Sequence, residues 1–143
     1  MAVSHILKQK GRAVLTVTPA TPVKEVADIL AKNRIGAVVV ESGGAIAGIV
    51  SERDVVRAFS EHGAAILDKK ASAIMTAKVR TCSEGDSEAE LMGLMTQHRI
   101  RHLPVVHDGK LAGMISIGDV VKFRIEAIER EAEDMKSYIA SAG

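Results

Sequence analysis

Two short constellations in the chain have the residue types to hold a small polar ligand. Ser51 is followed by Asp54 and Ser116 by Asp119, the same serine-x-x-aspartate spacing at an offset of 65 residues. A carboxylate where a strand gives way to a helix can accept two hydrogen bonds from a vicinal diol such as that of ribose. A hydroxyl beside the first N–H groups of a helix can cradle a phosphate. Arg53, next to Asp54, and Arg101, next to His102, are the candidate phosphate cations, since the arginine fork suits that geometry. A solvated surface position accounts equally well for Arg53 taken alone. The aspartates could also serve only as helix caps and the serines only as turn residues. Capping accounts for an aspartate but leaves the recurring serine unexplained, which favours diol binding.

These constellations belong to a longer repeat. Gly48-Ile49-Val50-Ser51-Glu52-Arg53-Asp54 returns as Gly113-Met114-Ile115-Ser116-Ile117-Gly118-Asp119. The 65-residue offset also places Val14 on Val79, Thr16 on Thr81, Glu25 on Glu90, Arg34-Ile35 on Arg99-Ile100 and Gly44 on Gly109, with no gap. The period is too long for most solenoid units and suits two copies of a small α/β unit that bury their open faces against one another.

The elements that must position the site follow from the patterning. Thr21-Pro22 opens a helix with the stripe Val26, Ile29, Leu30. Ala37 to Val40 is a buried strand, Ser42-Gly43-Gly44 a hairpin turn, Ile46 to Val50 the return strand, and a helix runs from Arg53 to Gly63. In the second copy Asp86 or Ser87 caps a helix, with Ser87 and Glu90 as a capping box. Leu103 to Val106 and Leu111 to Ile115 flank the turn Asp108-Gly109, and Pro104 implies an edge or irregular position. The expected fold is α/β: two β-α-β-β-α units, residues 7–62 and 63–124, packed face to face as one pseudo-twofold module, with a helical extension over 125–143. In that last helix Val121, Ile125, Ile128, Ala132, Met135 and Ile139 form a heptad-type seam, and Glu126 with Arg130 an outer i,i+4 pair. The seam predicts a helix-to-helix contact between subunits.

Composition narrows the function. A net charge of +1 over 143 residues gives no electrostatic case for nucleic acid or an anionic membrane. Phe59, Phe123 and Tyr138 are the only aromatic residues, so stacking platforms for single strands are missing. Cys82 is the only cysteine, which excludes an internal disulfide, fits a reducing cytoplasm, and reads as a buried thiol. Neither a signal peptide nor a membrane span is legible. His98, His102 and His107 lack the carboxylate or thiol partners of a metal site, and the change from helix to strand between His98 and His102 breaks their shared face. There is no G-x-G-x-x-G and no P-loop.

The pattern Gly-apolar-apolar-Ser-x-x-Asp at the end of a hairpin, present twice in register, resembles the CBS domain family, whose domains occur as tandem pairs forming one disc-shaped module. The resemblance spans about Leu7 to Arg124 and includes Arg99-Ile100-Arg101-His102-Leu103-Pro104-Val105; Gly36-Ala37 replaces the basic pair in the first copy. It implies a stand-alone regulatory module, not an enzyme, that binds adenosine-containing ligands: AMP foremost, with NAD(H), ADP, ATP or S-adenosylmethionine as alternatives and no metal. It also implies a regulated partner protein that the sequence does not name, while the apolar seam of the last helix implies a homodimer through the domain faces and that helix. In such modules each pocket crosses the copies. Val14, Ile35 and Gly36, with Arg12 and Ala13, would then serve Asp119, Ser116 and Gly118, while Lys78, Val79 and Ile100 would serve Asp54. Ordinary core packing is the alternative for each aliphatic residue. The pair Arg101-His102, present only in the second copy, points to the Asp119 site as the tighter. A dimeric interaction scaffold without working ligand sites is the other reading. An enzyme with Asp54 or Asp119 as base is disfavoured, because no nucleophile–base pair is visible.

Overall fold

The computed structural model describes residues 1–142. The elements run α1 (Ala2–Lys10), β1 (Thr16–Val17), α2 (Val23–Asn33), β2 (Ala37–Ser42), β3 (Ala45–Ser51) and α3 (Glu52–His62), then two 3₁₀ segments (Gly63–Asp68 and Ala71–Ala73). After them come α4 (Glu88–His98), β4 (His102–His107), β5 (Lys110–Ser116) and α5 (Ile117–Ala142). The two copies match element for element from β2 to α3 and from β4 to α5, and β3 touches β5 across their junction.

Helical spacing builds the inner faces. Val23, Val26 and Leu30 of α2 are buried, as are Leu91 and Met95 of α4. Both helices end at an arginine in the left-handed region, Arg34 and Arg99, each at φ 53°. The start of α2 differs from expectation: Pro22 is the cap residue, and the Thr21 hydroxyl accepts instead from the Thr18 N–H at 3.0 Å. Ser87 does cap α4, accepting from the Glu90 N–H at 3.2 Å, while the Asp86 carboxylate accepts from the Ser83 N–H in the preceding turn.

The hairpins turn where both central residues have positive φ, Gly43-Gly44 (58° and 81°) and Asp108-Gly109 (50° and 75°), the type I′ geometry that matches strand twist. β2 pairs parallel with β1 and antiparallel with β3, whereas β4 pairs only with β5 as a named strand. Pro104 explains the difference. In the first copy Thr16 pairs with Val39 and Val17 with Val40. In the second, a single bridge joins Cys82 to Val105, through Cys82 N–H to Pro104 C=O and Val106 N–H to Cys82 C=O, each 2.9 Å. Extending that ladder toward Arg80 needs the N–H that proline lacks. The register shift, in contrast, falls at Val40/Glu41 and at Val105/Val106, so it belongs to the repeat and not to the proline.

Each copy is completed by the segment that precedes the other. Val3, Ile6 and Leu7 of α1 join Leu91, Leu103 and Ile115 in the core of the second copy. Ala71, from the stretch between the copies, joins Val26, Val38 and Val50 in the core of the first. The motif glycine serves this packing. A Cβ on Gly113 would lie 2.6 Å from Leu7 Cδ2, and one on Gly48 would lie 2.6 Å from Met75 Sδ.

α5 has 26 residues against 11 in α3 and runs about 39 Å. Val121, Ile125, Ile128, Met135 and Ile139 are 48–66% exposed along it. The expected Glu126–Arg130 pair does not form among the described residues; Glu126 Oε2 is buried without a hydrogen-bond partner. No described helix is long and apolar enough to cross a membrane.

Candidate functional site

The serine–aspartate spacing makes a reciprocal helix cap in both copies. Ser51 Oγ accepts from the Asp54 N–H at 3.2 Å while Asp54 Oδ2 accepts from the Ser51 N–H at 2.9 Å. Ser116 and Asp119 repeat both bonds at the same distances. The recurring serine therefore has a structural explanation, and the sequence argument that capping leaves it over is wrong. The phosphate cradle expected there is also partly taken. Ser51 Oγ is engaged with Asp54 N–H, and the Glu52 N–H donates to Gly36 C=O at 2.9 Å.

What distinguishes Asp54 is a cavity of about 300 Å³ against it, within the range of small-molecule sites. The chain returns to β3 after the 3₁₀ segments through a pair of bonds between Ile49 and Thr76, 3.0 and 2.9 Å. That return sets the Thr76 hydroxyl 3.4 Å from Asp54 Oδ1 and brings Lys78, Val79 and Arg80 to one wall. The end of α4 and the start of β4 supply the facing wall with Arg99, Ile100, Arg101 and His102. Asp54 is buried, only 6% exposed, and Arg57 Nη1 stands 3.6 Å from its Oδ1.

Of the residues singled out in the sequence, Gly36, Ser51, Arg53, Asp54, Lys78, Val79, Ile100, Arg101 and His102 line this one cavity. Two placements differ from expectation. Gly36 borders Asp54, and the pair Arg101-His102 faces Asp54 although it belongs to the Asp119 copy. Gly36 meets Asp54 within its own copy, because β2 pairs with β3 next to it and its C=O accepts from the Glu52 N–H; Arg101-His102 meet Asp54 because the copies cross, the loop that opens β4 facing the other repeat's helix cap. The basic pair therefore gives no ground for a tighter Asp119 site. His102 packs onto Gly36 so closely that a Cβ there would lie 2.8 Å from its ring. Burial holds the His102 imidazole below its ordinary range, helped by Lys10 and Arg101 and opposed by Glu52 and Asp119. His98 also lines the cavity, so the helix-to-strand change did not separate it from His102. Among the described residues no group of three metal-ligating side chains assembles.

Arg12, Ala13, Val14, Ile35, Ser116, Gly118 and Asp119 lie outside this cavity. Arg12 is ion-paired with Glu84, and Ile35 packs against the first core. Asp119 is held by Lys10, whose Nζ is 2.7 Å from Oδ2 and 3.0 Å from Met114 C=O. Burial would raise the Asp119 carboxyl, but the bonds from Lys10 and Ser116 outweigh it and keep it below the usual range. Cys82 is buried, and burial, with Asp86 nearby, pushes its thiol up to about 12, which leaves it unreactive. Sequence reasoning missed Thr76, Arg57, Arg80 and Arg99. For the last, the sequence shows only that Arg34 and Arg99 recur at the 65-residue offset; their left-handed backbone, which places Arg99 at the cavity, is seen in the structure alone.

The CBS domain model matches residues 4–61 and 71–126. A mitochondrial CBS domain-containing protein of Arabidopsis thaliana is 34% identical over 96% of this chain and 71% of its own length. The crystal structure of a CBS-domain containing protein from Agrobacterium tumefaciens superposes with a TM-score of 0.83 at 46% identity, covering 85% of this chain and 92% of that one. A CBS domain protein from Pyrobaculum aerophilum, solved in complex with AMP, superposes with a TM-score of 0.73 at 32% identity over 83% of this chain and 89% of its own. With both copies matched and the repeat fold in place, the chain belongs to the CBS domain family, as a tandem pair.

Proposed function

We propose that the chain is a regulatory module without catalytic activity that binds an adenosine-containing nucleotide in the Asp54 cavity and relays its occupancy to a partner protein. The observation that carries this reading is the cavity itself, with a buried carboxylate at one end and basic walls drawn from the other repeat. Asp54 Oδ1, reached only by a 3.4 Å hydroxyl and a 3.6 Å guanidinium, is positioned to accept from a ribose diol. Val79, Ile49 and Ile100 offer aliphatic surface for the base. The AMP complex of the Pyrobaculum relative supports AMP as the simplest such ligand, with ADP, ATP, NAD(H) and S-adenosylmethionine as alternatives.

The module works as a homodimer on this reading, with the bare α5 stripe and the exposed Val56 and Phe59 of α3 as contact surface. It acts in the cytoplasm, where nucleotide levels vary. Two measurements test the proposal. A thermal-shift panel of AMP, ADP, ATP, NADH and S-adenosylmethionine should show at least one adenosine ligand raising the melting temperature, because a ligand of the native state alone adds stability; a flat panel would leave only the scaffold reading. Light scattering on the chain truncated after Arg124 should show monomer where the full chain is dimer; unchanged self-association would clear the seam of that role.

A further inference from the structure

We infer that the Asp54 cavity is built for a ligand carrying a chain of two or more phosphates, such as ADP, ATP or a dinucleotide, and that the Asp119 face is not. This rests on the nucleotide reading above and specifies the class of ligand. Six strong cations line the cavity, Arg53, Arg57, Lys78, Arg80, Arg99 and Arg101, against two carboxylates, Glu52 and Asp54. The excess is four positive charges in one cavity, in a chain whose net charge is +1. Only Arg57 has an acidic partner, Asp54 at 3.6 Å; no ion pair engages the other five among the described residues. A phosphomonoester carries about −1.5 to −2, which would leave roughly half of that excess unanswered. Each further phosphate adds charge and acceptor oxygens for the arginine forks.

The internal repeat provides a control. At the 65-residue offset, Lys78 becomes Ala13, Arg80 becomes Leu15, Arg101 becomes Gly36 and Arg53 becomes Gly118. Four of the six cations are absent from the matching positions, and only Arg34 and Lys122 remain, for Arg99 and Arg57. The fold does not require the cations, because the second site keeps the same capping box and strand register without them. Lys10, which has no counterpart at Met75, is already spent on Asp119.

Calorimetric titration of the full chain with AMP, ADP, ATP and inorganic pyrophosphate tests the inference. ADP and ATP should bind at least tenfold more tightly than AMP. The double variant K78A/R80L, which installs the residues of the other copy at two exposed positions, should weaken ADP and ATP by a larger factor than AMP and so bring the three affinities together. Its melting temperature without ligand should match the parent. Equal affinities for AMP and ADP in the parent, or an equal loss for all three in the variant, would overturn the phosphate-chain inference and leave the nucleotide reading standing. Pyrophosphate binding as tightly as ADP would do the reverse: the phosphate chain would be the ligand, and the adenosine reading would fail.

Discussion

Asp54 and Asp119 occupy the same point of the repeat, hold the same capping box to within 0.1 Å, and face different surroundings. Beside Asp54 the chain keeps an open cavity, and five of its six cations have no ion pair among the described residues. Beside Asp119 a lysine from α1 closes onto the carboxylate. One fold, duplicated, thus carries one basic site and one internally neutralised site. Backbone capping is common to both copies; the cavity cations Lys78, Arg80, Arg101 and Arg53, to which the proposed reading assigns the ligand chemistry, are not preserved by the duplication.

The largest expected effect breaks the comparison at its base. Leu7 is fully buried in the second core and lies on Gly113. Leu7→Ala should cost about 2–5 kcal/mol in denaturant unfolding. Its amide-exchange signature should be concentrated in β4 and β5; equal loss of protection in β2 and β3 would show that the cores are not divided as described.

A smaller effect concerns pH. The unfolded chain takes up a proton at His102 near the ordinary histidine value of about 6.5, whereas burial makes the folded chain resist it. Stability from this group is present in full above that pH and is lost as pH falls through it toward the lower folded value. Urea unfolding at pH 7.5 and 5.5 should show a fall in stability that is reduced in His102→Gln; an equal fall in both proteins would assign the effect elsewhere.

The smallest effect sharpens the difference between the two aspartates. Lys10→Met copies Met75 into α1 and removes the pair with Asp119. Both partners are partly exposed, so the loss of stability should stay within about 1 kcal/mol. The Asp119 carboxyl should move up toward its ordinary range, which carbon-detected NMR titration reads directly. No movement would mean that Ser116, not Lys10, governs this carboxyl.

Much of the fold was legible because duplication doubles every signal. The hairpins at Gly43-Gly44 and Asp108-Gly109, the apolar stripes of α2 and α4, and the long C-terminal helix all follow from local patterning. The helical form of α1 was not foreseen. Its residues Val3, Ile6 and Leu7 read as an amphipathic turn only once the second copy offers them a face, which is tertiary information. The site divided in the same way. Asp54 and the walls Val79 and Ile100 were named from sequence, the walls by family resemblance. Thr76, Arg80 and Arg99 escaped because their side chains gain meaning only through the return of the connector to β3 and the end of α4. The serine was misjudged for a chemical reason: serine and aspartate three apart satisfy one another across a helix start, whether or not a ligand is present.

The central claim is that ligand binding belongs to Asp54, and one calorimetric experiment tests it most directly. The parent chain, Asp54→Asn and Asp119→Asn are each titrated with ADP. A charge-assisted hydrogen bond contributes about 1.5–3 kcal/mol, so Asp54→Asn should weaken ADP roughly tenfold or more, with Asp119→Asn close to the parent. Melting curves without ligand guard against a folding defect, since both variants alter the same capping box. Parent-like affinity in Asp54→Asn, or a loss confined to Asp119→Asn, would contradict the account.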